Sequence, residues 1–215
     1  MAKAQYIQGI EIAIEDIRAH IEKSGQRIGG NGRELQTRYW IIDPIIKALG
    51  WDVSNPEQVW IEFPTNDQFA DYAFFPRNTN TPVMVIEAKS VREKEIDPSG
   101  MYDEEWDEVD EDDEEWDEEQ WLLEESLRYW RPTEIDQLRF QTRDLNQGYG
   151  VLTSGNTWSI FDLSKKGNSR TANTFQRRAE IHHFSILFSP LDECIDGLKK
   201  LHRRNLLKAA REQAM

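Results

Sequence analysis

Two acids and a lysine stand where an apolar strand would have to bury them. The run Val83-Met84-Val85-Ile86-Glu87-Ala88-Lys89 is apolar except for Glu87 and Lys89, and Asp71 interrupts Phe69-Ala70-Asp71-Tyr72-Ala73-Phe74-Phe75 upstream. Both stretches are rich in β-branched and aromatic residues and read as buried strands. Side chains on a strand alternate faces, so Glu87 and Lys89 share one face and Ala88 takes the other. Buried charges of this kind are costly unless they are paired or bind a metal. Asp71, Glu87 and Lys89 supply two hard oxygen ligands and one proton-active cation, the minimum for Mg²⁺-assisted phosphodiester hydrolysis, with Mn²⁺ as a substitute ion. A lone Glu-x-Lys on a strand is usually an exposed cross-strand ion pair. The apolar flanks and the strand aspartate favour the metal reading here.

Helices must hold these strands. Ile7, Ile10, Ile14, Ile17 and Ile21 alternate spacings of three and four, the stripe of an amphipathic helix that ends before Gly25 or in the Gly29–Gly32 turn. Arg33 to Leu49 predicts a second helix stopped by Gly50, with Asp43-Pro44 marking a kink or a fresh start inside it. Extended runs follow at Gln58–Phe63, Phe69–Phe75 and Pro82–Lys89. A helix is expected over Thr133–Asn146, then a hairpin with strands at 149–154 and 157–162 around Gly155-Asn156. Phe175–Phe188 reads as a further strand, and Leu191 to Ala210 as a basic amphipathic helix. The alternation predicts an α/β fold, a sheet with helices on its faces.

At 215 residues the chain predicts a single domain, 1–215. Its formal net charge of −14 is unevenly spread: residues 103–125 carry sixteen Asp and Glu and no Lys or Arg, so the remainder sums to +2. A near-neutral body can still approach a phosphate backbone. The acidic stretch, about 97–125, is punctuated by Trp106, Trp116 and Trp121 and cannot build a core. It reads as a solvated, largely disordered insertion; a duplex-mimicking or gating segment and a dock for a basic partner are the alternatives. Arg128, Arg131, Arg139 and Arg143 are candidates for tracking phosphates, against ordinary surface charge. Cys194, alone, allows no intramolecular disulfide and reads as a small apolar side chain. The chain has neither a signal-peptide pattern nor a twenty-residue apolar span, so a cytoplasmic protein without membrane partners is expected. His182 and His183 are adjacent on an expected strand, so they face opposite ways and cannot chelate one ion together.

The order Glu34…Asp71…Glu87-Ala88-Lys89 resembles the restriction-endonuclease-like nucleases with the PD-(D/E)xK pattern. More narrowly it resembles the N-terminal nuclease domain of type I restriction enzyme R subunits. Three stretches carry the likeness: Arg33 to Trp51 with its Asp43-Pro44 and Leu49-Gly50-Trp51, the Ala70-Asp71-Tyr72 and Val85–Lys89 strands, and Tyr149 to Trp158 with its Leu-Thr-Ser-Gly turn. The resemblance implies a central mixed β-sheet flanked by helices and a Mg²⁺-dependent DNA endonuclease related to restriction. Asp71 and Glu87 would hold the ion, with the Ala88 carbonyl as third ligand. Lys89 would orient or deprotonate the attacking water or stabilise transition-state charge, and Glu34 would hold water on the metal or a second ion. The family places a glutamine, usually within Q-x-x-x-Y, beside the site. Gln137 supplies it, but position 141 is glutamine rather than tyrosine.

DNA is the implied partner. The chain has no Walker A sequence, so ATP-driven translocation is expected to need a separate restriction or helicase subunit; a homodimer is a further assembly open to it. Two other readings stand beside the nuclease: a catalytically silent nuclease fold used for DNA binding or assembly, and an acidic DNA-mimic or anti-restriction protein.

Overall fold

The isoleucine stripe of the first helix is buried as its spacing requires. In the computed structural model, which describes residues 2–28, 33–65, 68–77, 79–91, 129–145 and 147–213, helix α1 spans Ala2–Ile28. Its Ile10, Ile14, Ile17 and Ile21 face the core. The acidic stretch at 97–125 with its three tryptophans, and Arg128, lie outside the described residues.

The expected second helix is three pieces: α2 (Glu34–Thr37), a wider turn over Arg38–Ile42, and α3 (Asp43–Ala48). The Asp43 amide bonds the Arg38 carbonyl, a five-residue step. Widening the turn lets Pro44, which has no N–H to donate, enter near the start of α3 without breaking the rod. Gly50, with φ +82, stops α3, and the buried Trp51 indole N–H donates to the Leu201 carbonyl at 3.2 Å.

Among the described residues six strands form one open sheet in sequence order: β1 (Val59–Pro64), β2 (Phe69–Phe74), β3 (Met84–Ala88), β4 (Tyr149–Thr153), β5 (Thr157–Asp162) and β6 (Glu180–Ser185). Only the β3–β4 pair is parallel. Helices cover both faces. α1, α3 and the C-terminal helices enclose Tyr72, Phe74, Ile86 and Trp158. On the other face α4 (Pro132–Gln141) and α5 (Ala172–Ala179) enclose Val85, Leu152 and Phe161. The fold is therefore mixed α/β, as expected. No helix among the described residues is long and apolar enough to cross a membrane.

Two expectations fail. The strand predicted over Phe175–Phe188 is helix α5 followed by the short β6: Ala172, Phe175 and Ala179 recur with helical period, and the Thr171 hydroxyl caps the Thr174 amide at 3.2 Å. The single C-terminal helix is two, α6 (Leu191–Leu201) and α7 (Arg203–Gln213). His202 between them is extended, and the Arg203 amide leaves the helical ladder to bond the Leu49 carbonyl at 2.9 Å.

Candidate active site

The β2–β3 ladder runs to Tyr72↔Ile86; its continuation sets Asp71 opposite Glu87. Both carboxylates are almost fully buried, at 8 % and 2 % exposure. Beyond the ladder's end the Ala88 amide donates to Asp71 Oδ2 at 2.7 Å, a carboxylate taking the place of a strand partner. Glu87 and Lys89, two apart, share a face as strand geometry demands, and Lys89 Nζ pairs with Glu87 Oε1.

Helix α4 closes the site from above this face. It starts at Pro132, and its first turn is locked by Glu134, whose carboxylate accepts the Arg131 amide at 2.8 Å. Gln137 and Gln141, one turn apart, both reach the strands. Gln137 Oε1 accepts from Lys89 Nζ at 2.9 Å. Gln141 Nε2 donates to Glu87 Oε2 at 2.6 Å and to the Phe69 carbonyl at 2.9 Å. Those two acceptors fix which way the amide points. Gln141 Oε1 is thereby left buried with no hydrogen-bond partner among the described residues.

On the opposite side, the α2–α3 rod supplies Glu34 and Arg38. Arg38 Nη1 donates to Asp71 Oδ1 at 2.9 Å, and Nε to the Tyr72 hydroxyl at 3.2 Å. Tyr72 in turn donates to Asp43 Oδ1 at 2.7 Å. Glu34 joins through charge: its carboxyl feels Asp71 and Lys89.

Electrostatically the site is over-supplied with acid. Burial pushes Glu87 up to about 7, and the neighbouring Asp71 charge adds to that rise against the pull of Lys89. Burial likewise raises Asp71 and Glu34 above the ordinary carboxylate value. Burial is the largest cause in each, and the neighbouring cations oppose it.

The structure thus brings Asp71, Glu87, Lys89 and Gln137 into one constellation, sets Ala88 in it through its amide, and places Glu34 beside it. Gln141 and Arg38 are site residues the sequence reading passed over. Each had a signal: Gln141 lies four residues after Gln137, and Arg38 four after Glu34, the spacing that stacks side chains on one helix face. Of the basic candidates, Arg139 is tied to Asp136 at 2.7 Å and lies over the Phe140 ring, and Arg143 approaches Asp144 at 3.7 Å.

Among the described residues, no cluster of three or more His, Cys, Asp or Glu side chains forms a ready metal cage. Mg²⁺ asks for less, because it keeps several waters and is commonly held by one or two carboxylates. Asp71 and Glu87 fit that demand, and the unpartnered Gln141 Oε1 beside Glu87 is an acceptor suited to a water in the site.

No family model matches the chain, and no curated protein or solved structure does so either.

Proposed function

We propose that the chain is a Mg²⁺-dependent DNA endonuclease of the PD-(D/E)xK type, with a restriction-endonuclease-like sheet carrying its site. The observation that carries this reading is Lys89, held between Glu87 Oε1 and Gln137 Oε1 beside a second buried acid, Asp71. Asp71 and Glu87 would hold the ion, with the Ala88 carbonyl as a further ligand. When bound, Mg²⁺ would polarise the scissile phosphate and lower the pKa of a coordinated water.

The protein's own share is positioning and proton handling. Two of the three Lys89 N–H groups are committed to Glu87 and Gln137, which fixes the ammonium and leaves one donor for a water or a phosphate oxygen. There it orients the nucleophile and stabilises charge that develops on the phosphate. Gln141 holds the free oxygen of Glu87 in place, and Glu34 adds an acceptor at the rim.

The test is plasmid cleavage in Mg²⁺, Mn²⁺ or EDTA by the wild type and by Glu87→Gln. Nicking or linearisation that needs metal and is lost in the variant is expected. Metal-independent cleavage, or cleavage that Glu87→Gln leaves unchanged, would rule the site out.

A further inference from the structure

Arg38 has one nitrogen between two acids. Its Nη1 donates to Asp71 Oδ1 at 2.9 Å and to Glu62 Oε1 at 2.8 Å. Glu62 is set opposite Asp71 by the β1–β2 register, which pairs Ile61 with Tyr72 and Phe63 with Ala70 on either side. It is also the sole non-glycine residue with positive φ, +53, among the described residues. A glutamate in a left-handed conformation in mid-strand is strained, and such strain persists where surrounding contacts enforce it.

We propose that Arg38 is the positioning residue of Asp71 and that Glu62, across the strand pair, governs it, so that the Glu62–Arg38 pair sets how readily Asp71 takes up a divalent cation. This rests on the reading of Asp71 and Glu87 as metal ligands. Both oxygens of Asp71 already accept a hydrogen bond, one from the Ala88 amide and one from Arg38. An incoming cation competes with the guanidinium for Oδ1. Arg38 cannot simply leave, because an unpaired cation with 11 % side-chain exposure is costly. Glu62, with 60 % side-chain exposure, already accepts from the same nitrogen and keeps the guanidinium paired when it moves off Oδ1.

The remaining donors of Arg38 hold it in register for that small movement. Nε bonds the Tyr72 hydroxyl, Nη2 reaches the Asp71 carbonyl at 3.4 Å, and the guanidinium lies over the Tyr72 ring at 4.7 Å. Four of its five N–H groups are engaged, which leaves little for gripping a phosphate.

Mn²⁺ binding to the full chain without DNA, followed by the electron paramagnetic resonance of free Mn²⁺, tests this apart from activity. Glu62→Gln should weaken Mn²⁺ binding about threefold or more, and Arg38→Gln should strengthen it. In the Arg38→Gln background the Glu62 substitution should have no effect, because its influence runs through the guanidinium. Equal effects of Glu62→Gln in both backgrounds would show mere through-space charge and overturn the proposal, as would no effect in the wild type. If Arg38→Gln does not fold, Arg38→Lys replaces it, and there the Glu62 effect should shrink below about twofold. Wild-type Mn²⁺ binding that Asp71→Asn leaves intact would overturn the metal-ligand reading itself and this inference with it.

Discussion

One row across the sheet carries two buried polar clusters of opposite character. Following the register from strand to strand, Asp71 lies opposite Glu87, Glu87 pairs with Leu152, Leu152 with Ser159, and Ser159 with His183. At the β5–β6 end the residue types suggest a nucleophile and a base, since Ser159 Oγ lies 2.7 Å from His183 Nδ1 and Glu180 is close by. The geometry denies it. Glu180 approaches the same Nδ1 at 3.7 Å, so serine and acid compete for one nitrogen instead of using the two sides of the ring. Ser159 Oγ also accepts the buried Trp130 indole N–H at 2.8 Å. Ser159 is thereby held between Trp130 and His183. At the β2–β3 end two acids lie side by side, burial raises the pKa of both, and each has its own cation, Arg38 or Lys89. Chemistry is read from how the groups of a cluster are arranged, more than from which residue types it contains.

The sharpest way to break this comparison is to delete the key polar group at each end. Lys89→Ala should lower Mg²⁺-dependent DNA cleavage by about a hundredfold or more. Ser159→Ala should leave the cleavage rate within about twofold while costing about 1–3 kcal/mol in denaturant unfolding, because the Trp130 N–H loses its acceptor. Cleavage that falls with Ser159 and survives without Lys89 would reverse the assignment.

A smaller effect separates the two ends by pH. Glu87 binds its proton more tightly folded, at about 7, than at its ordinary value of 4.5. The folded state therefore holds more protons than the unfolded one between those values. The stability this contributes is fully present below the lower value and lost as pH rises through the upper one. Thermal melts in EDTA should show stability falling across about pH 4.5 to 7, and Glu87→Gln should flatten that fall. An unchanged slope in Glu87→Gln would place the titrating group elsewhere.

Much of the candidate site's geometry was legible because strand periodicity alone places Glu87 and Lys89 on one face. Asp71 was legible as the acid that interrupts an apolar run. Gln141 was overlooked because a glutamine at a position where an aromatic is expected draws attention to what is missing, although its spacing from Gln137 puts both on one face. Arg38 and Glu62 depend on strand register and on a left-handed backbone at Glu62, neither of which local sequence encodes. The same limit applied to the fold. Isoleucine spacing exposed α1, and the β4–β5 hairpin followed from its Gly155 turn, where φ is +83 and a Cβ would lie 2.8 Å from Thr37 Cγ2. Phe175–Phe188 misled because Phe175 and Ala179 at helical spacing run straight into the β-type pattern of Ile181 and Phe184.

Anomalous diffraction from crystals of the wild type soaked in Mn²⁺ tests the central claim most directly. The account predicts a peak within coordinating distance of carboxylate oxygens of both Asp71 and Glu87, absent from Glu87→Gln crystals. Density lodged elsewhere, with Arg38 and Lys89 still saturating the two acids, would contradict it.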